Sequence, residues 1–149
     1  MSLEGLLKTG QLKAHPADRD EIGKLLAAAA RNLVDAAHQA ISTETRFDCA
    51  YKTIMQAALA ALAALMANGY RPSSNVPGHQ MTMIQALTQT IGLEPRRMVV
   101  LDALRRKRNL SDYRGADLDE NSTKACVTEA ARLLADVQAW LAENHPELA

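Results

Sequence analysis

Apolar residues recur at helical spacing along most of the chain, in segments separated by short polar turns. Residues 19–40 carry such a pattern, with Asp18 placed to cap the helix and acids in its first turn. Ser42 or Thr43 caps the next helix, predicted over 43–68 and ended by Gly69. Its stripe of Phe47, Ala50, Tyr51, Ile54, Ala58, Ala61 and Leu65 is accompanied by a second one of Met55, Leu59, Leu62 and Met66. An apolar arc that wide predicts a central helix, buried in a bundle or lying at a dimer seam.

The stretch YRPSSNVPG, with two prolines and a glycine, then breaks the chain. A third helix follows over 79–91 and stops at Gly92. Pro95 opens a fourth, which runs towards Gly115; at a first helical position its missing N–H costs nothing. After the turn at 116–122 a fifth helix covers 123–144 and ends before Pro146. No convincing strand, internal repeat or low-complexity linker is visible. The expected fold is all-α: a single domain over residues 1–149, a bundle of about five helices.

Composition sharpens this picture. Hydrophobic residues make up 48% of the chain but aromatics only 3%, and the apolar content is mostly Ala and Leu. That favours helices at close range over a sheet. Lys plus Arg and Asp plus Glu number 17 each, so bulk charge drives no non-specific nucleic-acid binding. Any such contact needs a local patch. Arg96, Arg97, Arg105, Arg106, Lys107, Arg108 and Arg114 supply one, against Glu94, Asp102 and Asp112. Cys49 and Cys126 sit in separate apolar segments at no metal spacing, which suits reduced thiols and a cytoplasmic location. The N-terminal MSLEGLLKTGQLK has no long apolar run and does not read as a signal peptide. AALAALAALMA is too short for a bilayer span, so no membrane association is expected.

The candidate chemistry lies in LDALRRKRNLSDYRG, residues 101–115. At about 100° per residue, Leu101, Leu104 and Arg108 fall within about 60° of one another. Arg105 and Asp112 share that side, Asn109 lies at its edge, and Arg106 and Lys107 point elsewhere as a solvated flank. An arginine in an apolar stripe needs a partner, because an unmatched buried charge costs several kcal/mol. Asp112, Asp48, Glu44 or an anionic ligand could each serve. The structural alternative is an ion pair, or a side chain that snorkels past the core edge; the functional one is an arginine that grips phosphate.

The chain resembles a HEPN domain, a helical-bundle superfamily of prokaryotic toxin–antitoxin, nucleotidyltransferase-linked and defence proteins. The resemblance runs over nearly the whole length: LLKTGQLKAHPADRDEIGKLL, then AY, GYRP and GH through the middle, then the RRKRN helix. It implies a homodimer, and as further partners a nucleotidyltransferase-type protein, RNA or a nucleotide. In the family's active ribonucleases an arginine, usually followed by a polar residue, precedes a histidine by four to six intervening residues, and acts across the dimer without a metal. Arg108 matches that arginine and Asn109 the polar residue. With four intervening residues the next position is Tyr113, and five or six reach Arg114 and Gly115. Tyrosine, with an ordinary pKa near 10, is a poor base at neutral pH. The resemblance therefore implies an anion-binding cleft without standard ribonuclease activity, in which Arg105 and Tyr113 also stand and Tyr113 stacks a base or bonds a phosphate.

Three further residues join the candidate site. His79 follows Pro77-Gly78 at a helix start, where free N–H groups attract anions, and Arg71 in the preceding loop offers a second phosphate contact. Tyr51, on the inner face of the long helix, could reach Arg105 or Arg108, and its hydroxyl needs a partner if buried. The bland readings are a surface histidine and a core tyrosine. His15, His38 and His145 lie far apart, so neither a metal nor a cofactor is expected. Two alternatives to a binding module stay open: an endoribonuclease toxin in which Tyr113 or His79 replaces the missing histidine, and a purely structural interaction protein.

Overall fold

The computed structural model describes residues 2–64, 70–72, 79–114 and 118–149, and at 70–72, 79 and 112–114 the backbone alone. The fold is an all-α bundle. Its helices are α1 (Leu3–Lys8), α2 (Arg19–Ala36), α3 (Thr43–Ala64), α4 (His79–Gln85), α5 (Leu87–Thr90), α6 (Pro95–Arg114) and α7 (Glu120–Asn144). No helix of the described residues is long and apolar enough to cross a membrane.

Local chemistry sets most of the boundaries. Asp18 caps α2 by accepting from the Asp20 N–H at 3.0 Å. Ser42 rather than Thr43 caps α3, its hydroxyl accepting from the Thr45 N–H at 3.2 Å. Pro95 is the first residue of α6. The last helix begins at Glu120, earlier than the expected 123, because Asp119 takes the Ser122 N–H at 2.6 Å. Those bonds hold the Asp119 carboxyl below its ordinary pKa. The second helix ends at Ala36 instead of running to 40. The helix expected over 79–91 is divided at Ala86; Thr88 turns its hydroxyl back onto the Gln85 carbonyl at 3.0 Å, a local competitor for the helical bond. Gly92, at φ 70°, then ends α5 in the left-handed region that favours glycine.

Two elements depart from the expected pattern. Ser2 caps a short N-terminal helix, α1, which buries Leu3 and Leu6. Two three-residue strands, β1 (Leu12–Ala14) and β2 (Tyr70–Pro72), pair antiparallel with Leu12 opposite Pro72. A strand of three residues is too short for alternation to show, so the expectation of no strand is corrected by long-range pairing alone.

The core forms around α3, which packs chiefly on α2 and α7. Phe47, Ala50, Tyr51, Ile54, Ala58 and Ala61 are all buried, and so are Ala57, Ala60, Leu62, Ala63 and Ala64. Leu65, Met66 and Gly69 lie outside the described residues. Met55 and Leu59, from the second stripe, are partly buried against the same core. The wide arc read as a bundle centre or a dimer seam is thus taken up within the chain.

Among the described side chains the most buried arginine is Arg46 on α3, 5% exposed. Its Nε donates to the Ala36 carbonyl at 2.9 Å, one of the carbonyls left without an intrahelical partner at the end of α2. Its Nη1 reaches Glu120 Oε1 at 3.1 Å and Gln39 Oε1 at 3.4 Å. One guanidinium thereby joins the end of α2, the start of α3 and the start of α7. We expect Arg46→Ala to cost about 2 kcal/mol in urea unfolding, since it strands a buried carbonyl and loses the packed stem. Glu120→Gln should cost less than about 1 kcal/mol, because that carboxylate is half exposed. A larger loss for Glu120→Gln would show that the ion pair, not the carbonyl contact, holds the joint.

Candidate functional site

A polar cluster lies where α6 meets α3 and the start of α4, and the shallow join between these helices forms the crevice. On α3, Asp48 and Tyr51 stand three residues apart and so on one face. On α6, Asp102, Arg105 and Arg108 repeat at three-residue spacing, and α4 contributes Gln80, its second residue. Leu101 and Leu104 anchor the inner side of α6 in the core. That fixes Arg108, one turn beyond Leu104, against α3.

Two of the contacts of Arg108 run from α6 to α3. Its guanidinium carbon lies 5.0 Å from the centre of the Tyr51 ring, and its Nε lies 3.4 Å from Asp48 Oδ1. The Arg108 side chain is 25% exposed and Asp48 is 44% exposed, so the carboxylate lies at the rim while the Arg108 Nε beneath it is buried. Arg105 is more committed. Its Nε donates to Asp102 Oδ1 at 2.8 Å, and Asp102 also holds Arg106 at 3.0 Å through its other oxygen. Arg106 and Lys107 are exposed, as the reading of a solvated flank expects, and Lys107 Nζ donates to Ser122 Oγ at 2.6 Å.

Tyr51 joins the core to the crevice. Its ring is buried and its hydroxyl donates to Gln80 Oε1 at 2.8 Å. Burial pushes the phenol up to about 12, although the Arg108 and Arg105 charges pull it partly back. It therefore keeps its proton at neutral pH and works as a donor and a π-face, not as a base. Burial also raises both thiols, Cys126 to about 12, so neither is a ready nucleophile.

Of the residues singled out in the sequence, Tyr51, Arg105 and Arg108 come together, and Asn109 lies half-buried beside them on α6. The backbone of Arg71 lies in β2, that of His79 opens α4, and that of Tyr113 lies in the last turn of α6. The side chains of Arg71, His79, Asp112 and Tyr113 fall outside the described residues. Since Gln80 bonds Tyr51, the neighbouring His79 backbone stands at the edge of the cluster. Two members were missed. Asp102 was legible, because it precedes Arg105 and Arg106 by three and four residues, the spacing of helical ion pairs. Gln80 has no such signal; only the fold brings it to Tyr51.

Another concavity, of about 440 Å³, lies between the turn after α5 and α7, lined by Arg97, Arg132, Asp136, Trp140 and Glu143 among others. Arg97 Nη1 donates to Asp136 at 2.6 Å there, while its buried Nε and Nη2 make no hydrogen bond among the described residues. Among the described residues no group of His, Cys, Asp and Glu could hold a metal ion.

Comparisons of the chain with family models, with curated proteins and with solved structures find no match. The chemistry of the crevice therefore rests on its own residues.

Tyr51 gives this geometry a spectroscopic test. An ultraviolet titration should show one phenol ionising only near pH 12, and Tyr51→Phe should remove that late step. A folded pKa above the unfolded value of about 10 contributes stability that is complete below pH 10 and lost as pH rises towards 12. The wild-type protein should thus lose stability over that window more steeply than Tyr51→Phe. Equal slopes would place the phenol in water.

Proposed function

We propose that this chain is a HEPN-like binding module that takes an anionic ligand, a nucleotide or a segment of RNA, in the crevice between α3 and α6, without standard ribonuclease turnover. The observation that carries the reading is Arg108: stacked over Tyr51 at 5.0 Å, yet a quarter exposed and paired with a carboxylate that is itself nearly half exposed. An ion pair so open to water is worth about 0–1 kcal/mol, so exchanging Asp48 for a phosphate oxygen costs little. The tyrosine face meanwhile keeps the guanidinium in place, which lowers the ordering cost on binding. Phosphate brings more charge and more acceptors than Asp48, and its charge-assisted bonds favour the exchange. Arg105, held by Asp102, adds positive potential at the back of the crevice.

Turnover would need a proton acceptor beside the arginine. Tyr51 is unsuited, since it stays protonated to about 12. His15 pairs with Glu21 at 2.7 Å and His145 stacks near Trp140, both on other elements. A second reading has one observation in its favour: Gln80 bonds Tyr51, which brings the α4 start and hence His79 next to the cluster. On that reading the protein is a metal-independent endoribonuclease with His79 as the base. The nucleotidyltransferase-type partner implied by the family resemblance fits either reading.

Fluorescence anisotropy with a single-stranded oligoribonucleotide tests the first reading. The wild type should bind with an affinity that falls steeply with salt, and Arg108→Ala should weaken it by about tenfold or more. Arg108→Lys should restore only part, because an ammonium has no planar face to lie over Tyr51. Absence of binding at low salt would remove the proposal. RNA cleavage by the wild type that vanishes in His79→Ala would replace it with the second reading.

A further inference from the structure

α6 is apolar on two opposite sides. Leu101 and Leu104 face the core, but Val99 is 61% exposed and Leu110 46% exposed, with Ala103 exposed between them. At about 100° per residue Val99, Ala103 and Leu110 fall within about 40° of one another, and about 180° from Leu101. Val100, 39% exposed, widens the line on one side. The centre of a solvated helix face is where polar residues belong, and a helix apolar on both sides is covered on both. The line spans twelve residues, or about 16 Å, which is three turns of contact for another helix.

Charge says what kind of helix. Arg106 flanks the line on one side, Arg96 and Lys107 on the other, and all three are exposed. Of the two acids on α6, Asp102 is buried and already bound to Arg105 and Arg106, and the Asp112 side chain lies outside the described residues. The outer face thus presents a narrow aliphatic seam between cations, with no exposed carboxylate among its described residues. A second copy of this face is a poor match. Two α6 helices paired antiparallel about Ala103 would set Val99 and Val100 against the partner copy's cations rather than against its aliphatic side chains. RNA would find phosphate contacts but nothing to gain from a Val–Ala–Leu seam, which has no ring to stack on and no donor.

We infer that the outer face of α6 is a docking site for an amphipathic helix of a partner protein, apolar at i, i+4, i+7 and i+11 and bordered by Glu or Asp. Its aliphatic side chains fill the Val99–Ala103–Leu110 seam and its acids pair chiefly with Arg96, since Arg106 already holds Asp102 and Lys107 holds Ser122. This is the helix-in-groove mode with flanking charges that set partner choice. This site lies on the opposite side of α6 from the crevice and does not depend on the anion-binding reading.

The probe is a synthetic, side-chain-stapled helical peptide with leucine at i, i+4, i+7 and i+11 and glutamate at the flanking positions, read by fluorescence polarisation on the full chain. Val99→Ser with Leu110→Ser should weaken peptide binding about tenfold or more while leaving oligoribonucleotide binding at the crevice unchanged. Arg96→Glu should weaken the glutamate peptide and strengthen a lysine-flanked version, a reversal that mere unfolding cannot produce. No binding at millimolar peptide, equal affinity for both peptides, or indifference to the seam variant would overturn the inference. So would a dimer that the seam variant converts to a monomer, or an oligoribonucleotide or anionic vesicle that the same variant releases: each would assign the face to another occupant.

Discussion

The burial of α3, which over residues 57–64 leaves only Leu59 partly exposed, is the constraint from which the remaining structure follows. A helix so placed must accept neighbours at close range on every side, and its run of alanines lets α2 and α7 approach without large side chains to interlock. The same burial takes three polar groups on α3 out of water. Thr53 donates to the Ala29 carbonyl of α2 at 2.9 Å, Arg46 takes the Ala36 carbonyl, and Tyr51 finds Gln80. Each of these three thereby becomes a tie to a particular neighbour, fixing the order of packing that apolar contact alone leaves loose.

Two arginines in similar sequence settings meet opposite fates for this reason. Arg46 sits where α2 ends, so its guanidinium meets a carbonyl with no helical partner and is sealed by α7. Arg108 sits where α6 crosses the polar half of α3, at the rim of the bundle, and meets a π-face and an exposed carboxylate. The first arrangement has no room for an outside group. On the proposed function the second would exchange Asp48 for an outside anion, because the aromatic face over which the cation lies need not be displaced.

Legibility in the sequence follows the range of the interaction. The caps at Asp18 and Ser42, the start at Pro95 and the inner stripe of α3 depend on near neighbours and were readable. So was the meeting of Arg108 with Asp48 and Tyr51, because an arginine in an apolar stripe demands a partner and the long helix offered few. Arg46 escaped notice because its main acceptor is a backbone carbonyl, which no residue type advertises. The β1–β2 pair joins segments nearly sixty residues apart through three residues each, below the length at which alternation registers. The ADLDENS turn offered several caps, and only packing chose Asp119. The outer line of α6 was hidden by a different cause: once a helix has one apolar stripe, the residues opposite read as surface.

That outer line and the crevice are two sides of one weakly held element. Among the described residues, α6 packs less on the bundle than α2 or α7 does on α3. Its inner face, moreover, spends positions on Arg105 and Arg108 that a core helix would give to leucine. Each such position removes roughly 1.5–3 kcal/mol of apolar burial that would otherwise fasten the helix. A helix so held has a low free energy of local opening, and anything that binds only its docked position stabilises it by mass action. An anion in the crevice and a partner on the outer face would then each reduce the opening that weakens the other. Their affinities would be linked reciprocally, with no change in the shape of the folded bundle. The polar residues that make the crevice chemically useful are thus the same ones that leave α6 in need of a second contact.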